Sequence, residues 1–224
     1  YLTGGSGNNK QVLCWDPKGN NKQVLCWDPK KPGDGWRRAA DMLTGRSAHA
    51  AVALGGSLYV LGGHDGPRAV ASVERYDPDE DSWVFVSPMP AAKINFAAAV
   101  LGGKIVAVGG YNRGIDLRSC ESYDPVADAW EALPDMATAR SAFPAATVLG
   151  GRLWVTGGYG DRLLATVEVF DPATNTWDRS KAPMTTGRRS HALAVLFGEL
   201  HAIGGLNETS VEKYDAQADR WTPV

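Results

Sequence analysis

The chain has 224 residues, 44% of them hydrophobic, with 26 glycines and 8 tryptophans. That is enough to bury a large core, within the range where all-β chains still form one domain. Lys and Arg number 23 and Asp and Glu 25, a formal charge of −2, so no global field draws the chain to nucleic acid or to an acidic membrane. The cysteines are Cys14, Cys26 and Cys120, an odd number with no C-x-x-C, which argues against a disulfide-stapled secreted fold and a zinc ribbon. No apolar run approaches the ~20 residues a membrane helix needs, and the first residues lack a signal-peptide layout. A cytoplasmic fragment of a longer protein is the expectation.

Taken in order, the chain is a repeat array. Glycine doublets close apolar runs at 4–5, 62–63, 109–110, 157–158 and 204–205. Trp83, Trp130 and Trp177 are 47 residues apart, and Trp221 follows after 44. Seven residues before each stands an aromatic: Tyr76, Tyr123, Phe170 and Tyr214. Met42, Met89 and Met136 each follow a tryptophan by six residues, and Met184 follows Trp177 by seven.

Each unit reads as four short strands, a to d. In the first full unit these are HAAVAL (49–54), SLYVLGG (57–63), SVERYDP (72–78) and a strand beginning at Trp83. Strands a and b are nearly continuous apolar runs, as expected where both faces are covered. Strand c alternates: Val73, Arg75 and Asp77 point one way, Glu74 and Tyr76 the other. GG, DG and DP separate the strands. A four-stranded unit of this length is one blade of a β-propeller. The doublet needs φ > 0 and space no side chain leaves free, and the Tyr and Trp rings pack blade on blade.

LYVLGG with SVERYDPDEDSW, IVAVGG with SCESYDPVADAW, and LWVTGG with TVEVFDPATNTW resemble the Kelch repeat. The resemblance covers essentially the whole chain. It implies an all-β Kelch-type propeller of five four-stranded blades, the first incomplete, from a six-bladed ring. The expected blades are 1–36, 46–88, 93–135, 140–182 and 189–224.

The first unit is irregular. YLTGG is read as its strand b, so strand a is missing. Residues 8–18, NNKQVLCWDPK, recur identically at 20–30. Gly5 to Trp36 spans 31 residues; removing the 12-residue shift leaves 19, against 20, 20 and 19 in the next units. Two copies of VLCW therefore compete for strand c. The second is expected there, because it leaves the c–d turn short. The first then loops out or adds a hairpin strand around the DPKGN turn.

Four histidines occur: His49, His64, His191 and His201. None forms H-E-x-x-H or pairs at metal spacing on one element, and they read as structural or partly exposed. Kelch-fold enzymes of the galactose-oxidase type need a copper set that finds no match here. The iron motif of the nitrile-specifier proteins, Glu-x-x-x-Asp-x-x-x-His, is absent, and the sialic-acid epimerase type has no signature to test. There is no G-x-S-x-G or P-loop, and no doublet leads into a helix N-terminus that would cradle phosphate. No catalytic residue, cofactor or metal site is assigned.

The remaining candidates are loops, which a rigid scaffold leaves free to vary. After the doublets come His64, Asp65 and Arg68; Tyr111, Asn112 and Arg113; Tyr159, Asp161 and Arg162; and Asn207. Before the a strands come Arg46-Ser47, Lys93-Ile94-Asn95, Arg140-Ser141 and Arg189-Ser190. Such a rim of forked donors, hydroxyls and aromatic faces suits a short acidic peptide. These loops resemble those with which the kelch-like ubiquitin-ligase adaptors bind degron peptides, except at Lys93-Ile94-Asn95. The resemblance implies a non-catalytic substrate-recognition module, with a BTB domain contacting a cullin-3 ligase elsewhere in the protein. An actin-binding or other scaffold role and a Kelch-fold sugar oxidase or epimerase are the alternatives. A protein or peptide partner is expected, with no nucleic acid and no membrane.

Overall fold

Five four-stranded antiparallel sheets carry the repeat in a computed structural model that describes residues 3–4, 11–14, 22–27 and 32–224. The first comprises β1 (Thr3–Gly4), β2 (Gln11–Cys14), β3 (Val24–Trp27) and β4 (Arg37–Ala39). The second comprises β5 (Ala50–Leu54), β6 (Ser57–Leu61), β7 (Val73–Asp77) and β8 (Ser82–Val86). The third runs β9 (Ala97–Leu101), β10 (Lys104–Val108), β13 (Cys120–Asp124) and β14 (Ala129–Leu133). A small hairpin of β11 (Tyr111–Asn112) and β12 (Ile115–Asp116) stands between β10 and β13 in sequence. The fourth is β15 (Ala145–Leu149), β16 (Arg152–Thr156), β17 (Val167–Asp171) and β18 (Thr176–Asp178). The fifth is β19 (Ala192–Leu196), β20 (Glu199–Gly205), β21 (Glu208–Asp215) and β22 (Arg220–Pro223). In the four complete sheets the strands follow the expected blade order a-b-c-d. The chain divides into two compact units. Unit one holds Tyr1–Ile94, Gly103–Ile105 and Asp124–Trp130, and unit two holds Asn95–Gly102, Val106–Tyr123 and Glu131–Val224.

The first blade corrects one expectation. The second copy of the duplicated segment, β3, pairs with β4 and takes the c place, as expected. The first copy, β2, pairs with β3 on one side and β1 on the other. It therefore fills the b place assigned to YLTGG. The remnant β1 is displaced to the inner edge, where it adjoins β5, just as β15 adjoins β9 and β19 in unit two. Identical copies have identical strand propensity, so both enter the ladder and the shorter segment moves aside. The DPKGN turn between them lies outside the described residues.

Apolar cores lie between sheets. In unit one, Val24, Cys26 and Met42 pack with Leu58, Val60, Tyr76 and Trp83. In unit two, Trp154, Val167, Val169 and Met184 pack with Leu200, Ala202, Tyr214 and Trp221. Both faces of the c strands are covered: Val73, Glu74 and Tyr76 are buried with Arg75 and Asp77 half-buried, and Val167, Glu168, Val169 and Phe170 are all buried. The doublets meet the requirement read from sequence: Gly62 and Gly63 have φ of 58° and 92°. A Cβ on Gly63 would lie 2.5 Å from the Ser47 carbonyl oxygen, and one on Gly109 2.5 Å from that of Arg140.

A second frame ties d strands to neighbouring c–d turns. Asp81, at φ 47°, accepts from the Tyr76 hydroxyl at 2.6 Å and from Ala40 N at 2.8 Å. The Trp83 indole donates to the Ala40 carbonyl at 2.9 Å. Asp219 repeats this with Tyr214 and Ala182 N, and Trp221 with the Ala182 carbonyl. In the fourth blade the carbonyl is that of Pro134, which still accepts from Trp177. Proline has no N–H to give, Phe170 has no hydroxyl, and the residue at the turn is Asn175 rather than Asp. The three changes remove two donors and the charge that would have accepted from them.

The third frame is a buried ion pair. Arg46 donates to the carbonyls of Gly62 (2.7 Å) and Ser72 (3.0 Å), to Ser72 Oγ and to Glu74 Oε1 (2.6 Å). Glu74 in turn accepts from Leu43 N and Thr44 N. Arg140 does the same with Gly157, Thr166 and Glu168, which accepts from Ala137 N and Thr138 N. Arg188 does so with Gly204, Ser210 and Glu212, which accepts from Thr185 N and Thr186 N. Every side chain in these pairs is at most 2% exposed. Burial lowers the Arg140 pKa, and Glu168 opposes that shift. Burial raises the Glu212 carboxyl, but Arg188 and Thr185 hold it below its ordinary range.

His49 and His191 open equivalent a strands and are buried. Burial, reinforced by the adjacent Arg46 or Arg188 charge, holds each pKa at about 4. His191 Nε2 lies 2.9 Å from Thr156 Oγ1. Phe96 and Phe143 stand at the same frame position, so the site needs a ring and no charge.

Two predictions follow from these buried groups. Arg140→Met removes the donor to four groups and strands the Glu168 charge, and should cost about 3–5 kcal/mol in urea unfolding. Arg140→Lys, the residue the repeat uses at Lys93, should cost clearly less. Equal stability of all three proteins would refute the role assigned to the pair. For the histidines, neither state holds the proton above pH 6.5, so they do not alter stability there. Between pH 6.5 and about 4 the unfolded chain takes up the proton and the fold does not, so stability falls with pH by up to about 3 kcal/mol per histidine. The double variant His49→Phe, His191→Phe should narrow the stability gap between pH 7 and pH 4.5. An unchanged gap would show that other groups set the acid limit.

Candidate functional site

The candidate residues lie on two loop classes, those after strand b and those before strand a. In unit one the loops interlock through backbone. Ser47 N donates to the His64 carbonyl at 3.0 Å, and His64 N donates back to that of Ser47 at 2.8 Å. Asp65 closes its own turn, accepting from Arg68 N. Its carboxylate lies 3.8 Å from the Arg68 guanidinium, whose side chain is 81% exposed. Ser47 and Arg68 are exposed, while His64 and Asp65 are half-buried.

In unit two the same pairing joins Ser141 and Tyr159, at 2.7 and 2.9 Å. The Arg189 guanidinium carbon lies 5.9 Å from the centre of the Tyr159 ring, and the Arg189 carbonyl accepts from Leu206 N at 2.9 Å. Ser190 N donates to Ala142 and Phe143, and Phe143 N to Asn95. Tyr159, Arg189, Ser141, Ser190 and the 206–207 turn are thereby gathered into one loop cluster. A cation held over an aromatic face is desolvated on one side and presents its edge outward. Tyr159 is 40% exposed, Leu163 45% and Leu206 52%. Asp161, Arg162 and Asn207 are exposed. The β11–β12 hairpin carries Tyr111 and Asn112 on one strand and the exposed Ile115 on the other. Arg113, at φ 48°, forms its turn with Gly114. Among the described residues, no three of His, Cys, Asp and Glu group as metal ligands.

Three of the expected rim cations are not on a rim. Arg46 and Arg140 are the buried partners of Glu74 and Glu168, and Lys93 is 0% exposed at the same frame position. Arg46 and Arg140 donate to the carbonyls of Gly62 and Gly157 as well as to their glutamates, so these two side chains fold inward. Ser141 is also buried. In the fourth loop the register differs by one. The equivalent of Arg46 is Arg188, and Arg189 stands where Ser47 and Ser141 stand. The methionines carried the signal: Arg46, Lys93, Arg140 and Arg188 each follow a methionine by four residues. Leu163 and Ile115 have no such signal, because exposure of an apolar side chain has no local sequence signature.

The KLHDC2/KLHL20/DRC7 Kelch-repeats domain model matches residues 1–205. Kelch-like protein 35 of Mus musculus is 34% identical over 89 residues, 40% of this chain and 13% of that protein. Beta-scruin of Limulus polyphemus is 36% identical over 90 residues, 40% of this chain and 9% of its own. The F-box/kelch-repeat protein At2g44130 of Arabidopsis thaliana is 36% identical over 77 residues, 34% of this chain and 19% of its own. The chain therefore spans only a small part of the curated relatives it matches. With the blade order, the doublets and the Tyr–Trp frame in place, the chain belongs to the Kelch-repeat family of the KLHDC2/KLHL20/DRC7 type.

Proposed function

We propose that this chain is a non-catalytic protein-interaction module that binds a protein segment on the loop cluster around Tyr159 and Arg189. The observation that carries the reading is that cluster itself: an exposed aromatic ring with a cation stacked on it, flanked by exposed Leu163 and Leu206. The sheets below are closed by buried ion pairs, so the loops are held on a stiff base. Aromatic and arginine side chains on such a base are the usual anchors of an interface. With Arg46, Lys93 and Arg140 withdrawn into the fold, the surface suits an apolar side chain beside one carboxylate better than a strongly acidic peptide. The similarity to kelch-like proteins supports extending this to substrate recognition for a cullin-3 ligase in the cytoplasm, with the ligase contact made by another part of the protein.

The test compares partners captured by the full-length protein with those captured by Tyr159→Ala and Arg189→Glu. Loss of a central anchor costs about 2 kcal/mol or more, roughly 30-fold in affinity. Partners enriched by the parent should be lost from both variants while thermal midpoints stay unchanged. Undiminished capture would place the interface elsewhere. Co-purification of cullin-3 with the full-length protein tests the adaptor role.

A further inference from the structure

Each blade ends in an edge strand, and an edge presents unpaired backbone groups that another chain can join. The two positions after the frame tryptophan are the outward ones. In β4 they are Arg37 and Arg38, in β14 Glu131 and Ala132, after Trp177 Asp178 and Arg179, and in β22 Thr222 and Pro223. Charges, a small residue and a proline thus guard four edges, by the means that keep natural edges from pairing. The second blade differs. Its edge strand β8 is Ser-Trp-Val-Phe-Val, with Val84 42% and Phe85 57% exposed. Val84 stands opposite Arg75 and Phe85 opposite Glu74, so both faces of the edge are apolar.

The turn leading into β8 is also unlike its equivalents. Its two tip residues are Asp79 and Glu80, both exposed, where the other turns have Val126-Ala127, Ala173-Thr174 and Gln217-Ala218. Asp77 and Asp81 are engaged within the fold, the first accepting from Asp79 N and Glu80 N and the second from Tyr76 and Ala40. The Asp79 and Glu80 carboxylates are left to face outward. An unguarded apolar edge and two outward acids occur together in one blade out of five.

We propose that β8 is a strand-addition site for an extended segment of a partner protein that alternates apolar and polar residues and ends in lysines or arginines. Main-chain hydrogen bonds to the free edge of Ser82–Val86 supply the pairing. Phe85 receives the apolar side chains on its face of the sheet, and Asp79 and Glu80 the basic end. Antiparallel addition, the pairing found throughout this sheet, brings the C-terminal end of the segment to the acids.

The probe is a labelled peptide, acetyl-Thr-Val-Thr-Val-Thr-Lys-Lys-amide, titrated into the whole chain by fluorescence anisotropy and by amide hydrogen exchange. Saturable binding should slow exchange within Ser82–Val86. Phe85→Arg, which installs the residue type of Arg38, should weaken it at least tenfold, as should the pair Asp79→Lys, Glu80→Lys. The same peptide N-methylated at alternate residues should not bind, a control that needs no protein variant. Absent protection at 82–86, or binding indifferent to Phe85→Arg, overturns the proposal. So does protection that appears without peptide as protein concentration rises, because a second copy of the chain then occupies the edge.

Discussion

The structure depends on an arginine folded inward to meet a glutamate. The glycine doublet turns the chain away from its sheet, leaving the Gly62 carbonyl to Arg46 and the Ser72 carbonyl shared between Gly62 N and Arg46. A buried carbonyl without a donor costs free energy comparable to a lost hydrogen bond. Arg46 supplies donors to both and spends its remaining reach on Glu74. Glu74 passes the connection to the amides of Leu43 and Thr44. One ion pair therefore fastens the end of strand b, the start of strand c and the loop from the preceding blade. A buried ion pair is weak as a bare source of stability. Its value here is geometric, since a fork and a carboxylate satisfy five neighbouring groups at once.

The repeat also shows which residues act together. Tyr, Asp and a donating N–H occur together at Tyr76, Asp81 and Ala40, and again at Tyr214, Asp219 and Ala182. In the fourth blade all three change, to Phe170, Asn175 and Pro134. Asn suits the left-handed conformation that the position requires, at φ 55°, and without the two donors no carboxylate is needed. Only the indole-to-carbonyl bond survives, because it needs neither group. Local choices agree across the repeat even where they differ from the consensus, as expected of a sequence that specifies one fold.

Much of this was legible in the residues. A 47-residue period in Gly, Tyr, Trp and Met can arise only from a repeated packing unit, and the apolar runs place its strands. The duplicated segment was visible as foreign, and its second copy could be assigned by turn length. The displacement of β1 was not legible, because two identical strands have no local preference for place. The site was read less well. Arg46 and Arg140 look like loop cations in sequence, since an arginine beside serine and glycine is equally apt for water or for a buried carboxylate. What decides is the glutamate 28 residues away on strand c, a pairing that exists only once the strand has been placed. Arg188 and Arg189 are chemically identical, and only the count from Met184 tells the buried one from the half-buried one.

The repeat thus separates two kinds of departure from its own pattern. Some are answered within the fold, as Phe170 is answered by Asn175 and Pro134, and they carry no information about partners. Others are unanswered. Arg189 stands in a place where the other blades have Ser47, Ile94 and Ser141, and its guanidinium lies over an exposed tyrosine. Among the described residues the β11–β12 hairpin occurs in one blade, and its Ile115 is left 64% exposed. Val84 and Phe85 stand where the other edges carry charge, alanine, threonine or proline. An exposed apolar side chain gains nothing for the folded monomer over the polar residue its siblings use at the same position. The frame would be equally well satisfied without these substitutions. The physical reason to look for partners at the loop cluster and at β8 is therefore the same: there the chain departs from its repeat, and nothing inside the fold requires it.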